Sequence, residues 1–274
     1  MSKIVFLGTG GGRVTTMTQL RGTGGIYLEL SGTRIYLDPG PGALVRARNA
    51  KIPLEKLDAV LVSHNHIDHL NDAAVLVECM TRGVREKRGL LAAPVSVLGN
   101  KSMPAEIPEY HQNAPEKTIE TKPGMRFKVK NIDVECTRAL HTDEFGVGYK
   151  FFGEKTISYP SDTVFKKEIA DAHKGADILI LNCLYLVNEN KCKDVEFAKH
   201  MDVEDAIKFV KYIKPELCII QHFGMGMIRA GPWTQAEHIE KETGIKTVAA
   251  RDMQVFDIGK ECAKKEGLEK FSNR

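Results

Sequence analysis

The order of elements predicts an α/β protein: mixed β-sheets with helices covering their outer faces. Three observations carry this. The first half is mostly short apolar, strand-like runs punctuated by glycine and proline, the second half alternates strand with helix, and neither a fixed repeat nor a low-complexity linker divides the 274 residues. Strands first and strand–helix alternation afterwards require sheets with helices packed on them. Chains of this length also fold undivided, so one domain over 1–274 is expected.

The strands expected in the first half are 4–7, 25–30, 34–37 and 59–62, each bounded by glycine, proline or aspartate. A helix is expected over 72–80, after a histidine-rich segment, and strands follow at 95–98, 125–129, 132–138, 146–152 and 156–159. In the second half a strand at 178–181 leads through a long loop to a helix at 203–213 and a strand at 217–221. A helix at 234–242 and short strands at 247–249 and 254–257 close the pattern.

With 42% hydrophobic residues the chain can bury a substantial core, so no disulfide or structural metal is needed to hold it folded. The six cysteines (Cys79, Cys136, Cys183, Cys192, Cys218, Cys262) form no C-x-x-C pair, and several lie in apolar runs. Buried reduced thiols and a reducing compartment are the expectation. Met1-Ser2-Lys3 runs directly into an apolar strand, and no apolar run approaches a membrane span, so the cytoplasm is the default and no membrane partner is expected. A net charge of +3 suits a small anionic substrate and is too weak for a dedicated duplex-DNA binder. No extended nucleic-acid surface is evident, and a homodimer stays open.

The most informative stretch is Val60-Leu61-Val62-Ser63-His64-Asn65-His66-Ile67-Asp68-His69. An apolar strand ends at Ser63, and four potential ligands crowd into the next six residues. Imidazole with carboxylate suits zinc, iron or manganese, and a loop at a strand end can aim alternate side chains into one cavity. A polar loop capping the following helix is the plainer alternative, but clustered histidine and aspartate mark metal sites.

This H-x-H-x-D-H run resembles the signature of the metallo-β-lactamase superfamily, and the rest of the chain is similar to it in order. Asp38 follows an early strand, His141 follows the strand at 132–138, Asp162 ends the strand at 156–159, and His222 follows the strand at 217–221. The resemblance runs from about Lys3 to Asp257 and implies an αββα four-layer sandwich of two mixed sheets. It also implies two divalent metal ions, zinc foremost with manganese or iron as alternatives. His64, His66 and His141 would hold one; Asp68, His69 and His222 would hold the other; Asp162 would bridge them. Two close dications need such anionic bridges, and together they lower the pKa of water. Asp38 would fix the tautomer of a ligand histidine, or else serve as a turn residue before Pro39. His111, His173 and His238 are expected at the surface.

Within the superfamily, both complete ligand sets and His66 argue against a flavodiiron redox role, since those proteins usually carry an acidic residue at that position. Asp202 with Asp205 three residues on resembles a capping box, which sets His200 just before a helix N-terminus and near the site. That arrangement is similar to the tRNase Z and PhnP-type phosphodiesterase branch. The short connection from His141 to Asp162 has no room for a tRNA-binding arm, and no cysteine-rich zinc cluster of the PhnP type is present. The resemblance therefore implies a phosphodiesterase acting on a small phosphodiester, with Asp68 and His200 as catalytic residues and His200 assisting the leaving group. A lactonase or thioesterase using the same metals is the alternative. A tRNA 3'-end endonuclease and a non-catalytic metal-binding protein stand further off. The basic segment 82–88 would meet phosphate oxygens or simply end a helix, and 223–233 would line the pocket or simply pack. Gly8-Thr9-Gly10-Gly11-Gly12 is no G-x-G-x-x-G fingerprint, because Arg13 takes its last position.

Overall fold

Along most strands both alternating sets of side chains are apolar, which demands cover on both faces. A computed structural model describes residues 2–187 and 199–262 and shows how that cover is supplied. Strands β1 (Lys3–Phe6), β2 (Ile26–Leu30), β3 (Thr33–Leu37), β4 (Ala59–Leu61), β5 (Leu90–Ala93) and β6 (Lys117–Glu120) build a first sheet. The second holds β7 (Arg126–Val129), β8 (Ile132–Arg138), β9 (Val147–Phe152), β10 (Thr156–Tyr159), β11 (Ile178–Tyr185), β12 (Met201–Asp202), β13 (Leu217–Gln221) and β14 (Thr247–Ala249). The last strand, β15 (Gln254–Asp257), returns to the first sheet and pairs with β1.

Each sheet is antiparallel at one side and parallel at the other. β15, β1, β2 and β3 alternate direction, whereas β3 to β6 run parallel. In the second sheet β7 to β10 alternate, and β10, β11, β13 and β14 run parallel. Ile4 and Phe6 join a core between the sheets with Val134, Tyr149, Ile178 and Ile219. Val5 and Leu7 point the other way, against helices Ala43–Asn49 and Ala73–Met80. Leu179 and Leu181 likewise meet Phe209 and Val210 of helix Val203–Ile213 and Ile239 of helix Pro232–Thr243. Three apolar layers separated by two sheets make the expected αββα sandwich.

Residues 95–98, expected as a strand, form a helical turn. Pro94 starts it: the amides of Val97 and Leu98 both donate to the Pro94 carbonyl, and Gly99, at φ 75°, ends it. All four side chains are buried, so the run carries no periodicity to separate helix from strand. The strand of that region is instead β5, enclosed between parallel β4 and β6. Cys136, Cys183 and Cys218 are buried free thiols and Cys79 is half-buried; Cys192 lies outside the described residues, as does the Cys262 side chain. Among the described residues no helix is long and apolar enough to cross a membrane.

Candidate metal centre

Parallel strands deliver their C-terminal ends to one edge, and the candidate ligands gather there. Asp38 follows β3, His64 to His69 follow β4, Asp162 follows β10, and His222 follows β13; His141 comes from the loop after β8. Three residues at this edge hold left-handed backbone although none is glycine: Asp38 (φ 51°), Ser161 (φ 62°) and His222 (φ 63°). Such backbone costs of order 1–3 kcal/mol per residue and concentrates at functional sites.

Seven of the sequence-predicted residues come together. His64, His66, His141 and Asp162 form one group of potential ligands and Asp68, His69 and His222 a second; a third, Asp162, His200 and His222, overlaps both. In the first, His141 Nε2 lies 3.0 Å from His66 Nδ1, and the Asp162 Oδ2 atom lies 3.8 Å from both His64 Nε2 and His141 Nε2. In the second, His69 Nε2 lies 3.1 Å from His222 Nε2, and Asp68 Oδ2 lies 3.3 Å from His222 Nε2 and 3.9 Å from His69 Nε2. The same Oδ2 of Asp162 stands 3.4 Å from His69 and 3.5 Å from His222, so one oxygen faces both groups. Ligand atoms about 2.0–2.1 Å from a tetrahedral zinc sit roughly 3.4 Å apart. The observed spacings bracket that value, and His64 Nε2 is buried with no hydrogen-bond partner among the described residues, as a ligand nitrogen facing an ion should be.

Beneath the ligands lies a buried polar network. Asp38 accepts four hydrogen bonds: from the Ser63 amide (2.7 Å), the Ser63 hydroxyl (2.7 Å), the Tyr159 hydroxyl (2.8 Å) and His69 Nδ1 (2.9 Å). The last directs His69 Nε2 into the site, which is the tautomer-fixing position expected of Asp38. Ser63 Oγ also reaches His64 Nδ1 at 2.9 Å, and the Lys199 carbonyl meets His141 Nδ1 at 2.9 Å. Asn182 donates to Asp162 Oδ1 (2.6 Å) and accepts from Gln221 (2.6 Å), which anchors one carboxylate oxygen and leaves Oδ2 for the ligands. Asp143 accepts from the Asn65 amide, the Phe145 amide and the Ser96 hydroxyl, clamping the His64–His66 loop onto the His141 loop. Sequence reasoning missed Ser63, Asp143, Tyr159, Asn182 and Gln221. One signal was available: Asn182 is a lone amide in an apolar strand, and a buried amide requires partners.

The electrostatics fit a cation. Burial raises the Asp162 carboxyl, but the imidazoles of His222, His69 and His200 together outweigh it and hold it well below the usual range. Burial likewise lowers His69, yet Asp162 and Asp68 outweigh it and hold the ring well above its ordinary value. Burial, reinforced by neighbouring imidazoles, pushes His64 and His66 down; for His141 it outweighs Asp162. Ionised carboxylates beside the neutral imidazoles of His64, His66 and His141 are the protonation states divalent metals require, whereas the raised His69 ring would have to release a proton to become a ligand.

His200 sits beside this cluster, with Nδ1 3.4 Å from Asp162 Oδ2 and its ring stacked on His222. Asp202 caps helix Val203–Ile213 by accepting the Asp205 amide at 2.9 Å; Asp205 accepts from Phe165 instead of closing the box. His238 is exposed and His111 half-buried. His173, expected at the surface, is fully buried beneath β10, where Ser158 Oγ lies 2.6 Å from its Nδ1. Within 82–88, Arg82 pairs with Glu86, and Arg88 donates to the carbonyls of Met80 and Glu55, so this basic segment secures a helix end. Segment 223–233 turns into helix Met225–Ala230, with Phe223 and Met227 buried and Trp233 exposed.

A family model described as the β-lactamase superfamily domain matches residues 33–223. The uncharacterized protein MJ1374 of Methanocaldococcus jannaschii is 35% identical over 255 residues, covering 91% of this chain and 92% of its own. A UPF0173 metal-dependent hydrolase of Bacillus cereus is 25% identical over 232 residues, covering 80% and 91%. A ribonuclease Z of Agathobacter rectalis is 21% identical over 259 residues, covering 75% and 83%. Among solved structures, the metallo-β-lactamase fold protein YhfI of Bacillus subtilis superposes with a TM-score of 0.73 at 18% identity, over 94% of this chain and 100% of its own. A diphosphatase of the PhnP family gives 0.65 at 14%, over 94% and 98%. The family match over most of the chain, the relative at 35% identity and the shared fold assign the protein to the metallo-β-lactamase superfamily.

Proposed function

We propose that the protein is a metal-dependent hydrolase that cleaves a small phosphodiester. The observation that carries this is the placement of His200: a histidine that neither of the two larger ligand groups needs, although it could join Asp162 and His222 as a ligand, with a ring nitrogen 3.4 Å from the oxygen that faces both. His64, His66 and His141 would hold one divalent ion and Asp68, His69 and His222 the other, with Asp162 shared between them; zinc is the expected ion. Bound there, the ions supply Lewis acidity and a nucleophile drawn from water at neutral pH.

The chain's own residues do the rest. Asn182 and Asp38 keep Asp162 and His69 in ligand geometry. His66, Asp68 and His200 are only partly buried, so they mark the mouth through which a small substrate enters. Water adds to phosphorus and gives up one proton, the bond to the leaving oxygen breaks, His200 gives that oxygen a proton, and the proton released by water restores the ring through solvent. Asp162, not Asp68, is the nearer carboxylate to His200, and burial outweighs it, pushing the ring down to about 3. An anionic phosphodiester in the mouth favours the protonated ring while the two cations oppose it, so His200 acts as an acid only where the substrate's charge prevails. The resemblance to a PhnP-family diphosphatase supports phosphorus chemistry.

The test is a side-by-side screen of zinc- and manganese-loaded protein on bis(nitrophenyl) phosphate, a thioester and a lactone. Phosphodiester turnover at least tenfold above the other two is expected. Preference for either carbonyl substrate would assign the same centre to carbon-ester hydrolysis.

A further inference from the structure

We infer that the glycine run Gly10-Gly11-Gly12 is a positioning template for one half of the metal centre, the Asp68–His69–His222 group. This rests on the two-ion reading above. The run follows β1 and resembles a nucleotide-binding loop only superficially; its contacts are with the ligands themselves. A Cβ on Gly11 would stand 2.2 Å from Nδ1 and 2.3 Å from both Cγ and Cε1 of His222, so the imidazole lies directly against the Gly11 backbone. The ring cannot retreat. Its Nε2 already faces His69 at 3.1 Å, Asp68 at 3.3 Å and Asp162 at 3.5 Å, and its own backbone is left-handed.

Two backbone hydrogen bonds lace the loop to the residue after the ligand: the Phe223 amide donates to Thr9 O at 2.8 Å, and the Gly11 amide donates to Phe223 O at 3.2 Å. Loop and ligand therefore move together. Gly12, at φ 74°, turns its amide onto Asp68 Oδ2 at 3.1 Å, the carboxylate oxygen that faces His222. The other group has separate supports: Ser63 on His64, Thr142 on His66 and the Lys199 carbonyl on His141. One backbone segment thus fixes two ligands of one group, and among the described contacts it touches none of the other.

The experiment is a double-mutant cycle of Gly11→Ala and His222→Ala, read by zinc content and by thermal unfolding in EDTA. Wild type should hold two zinc ions. Gly11→Ala should hold one, with affinity at the lost site reduced at least about tenfold, the scale on which outer-shell support acts. In metal-free protein Gly11→Ala should lower Tm, and in the His222→Ala background that loss should vanish, because the collision partner is gone. Two zinc ions with unchanged affinities in Gly11→Ala would overturn the inference, as would an equal Tm loss in both backgrounds. If Gly11→Ala fails to fold, folding of the double variant supports the contact and its failure refutes it. A wild type holding fewer than two zinc ions would sink the two-ion reading instead, and the metal-free cycle would still decide the contact.

Discussion

His173 gives the protein a stability that falls in mild acid. Its ring is fully buried between Ser158 of β10 and Phe209 of helix Val203–Ile213, with Nε2 meeting no hydrogen-bond partner among the described residues. Burial, aided by the nearby Lys150 ammonium, pushes its pKa from 6.5 down to about 3. Between those values the unfolded chain holds a proton that the folded protein refuses. Stability therefore decreases as pH falls through 6.5, by about 1.4 kcal/mol per unit once the unfolded histidine is charged. From pH 7 to pH 5 the loss from this one ring is about 2 kcal/mol. His173→Phe removes the titration while keeping a flat ring; it strips Ser158 of its partner, at about 1 kcal/mol independent of pH. Urea unfolding in EDTA at pH 7, 6 and 5 measures the effect. The other histidines are common to both proteins and share no hydrogen-bond partner with His173, so they cancel in the difference. The difference should move about 2 kcal/mol in the variant's favour by pH 5. Parallel profiles would refute the reasoning.

Three further outcomes follow from the centre. Asp162→Ala should lose more activity than His66→Ala or His141→Ala at saturating metal, and elemental analysis should find fewer ions than in either; retained activity with both ions would remove Asp162 from the bridge. His200→Ala should keep its ions and most of its activity on a nitrophenyl phosphodiester but lose about 10²–10⁴ on an alkyl phosphodiester, whose leaving group needs a proton; equal losses would make His200 a substrate-positioning group. Asp38→Asn should weaken metal affinity about 10–100-fold, since an amide cannot accept from Ser63, Tyr159 and His69 together, and equilibrium dialysis with zinc measures it.

His64, His66, Asp68 and His69 were legible because H-x-H-x-D-H crowds donors just after a strand, whereas His141, Asp162 and His222 were legible only through the family resemblance. Asp202 was legible as a cap, and helix 203–213 from its 3.6-residue pattern. What the sequence hid is non-local or conformational. The burial of His173 depends on Phe209 and Ser158, distant along the chain. The polar floor of the site joins residues from β10, β11 and β13, which no local pattern brings together. The left-handed backbone at Asp38, Ser161 and His222 contradicts residue preference and exists because the surrounding sheet over-determines it. Strands β5 and β6 were missed because one is a short alanine–leucine run and the other a four-residue edge strand with a single buried side chain, Ile119, between charged ends.

The division of the ligands between the sheets has a consequence for the chain as an object that can be cut. Residues 121–125 link β6 to β7 and are the passage from the first sheet to the second. His64, His66, Asp68 and His69 lie before that link; His141, Asp162 and His222 lie after it. A chain severed there yields two pieces, neither of which owns a full complement for either ion, while β15 of the later piece still seeks β1 of the earlier one. Strand exchange would bring the pieces together and metal would latch them, so a chelator should lengthen their search for one another and zinc should shorten it. With metal bound, the centre would close only when both halves had arrived.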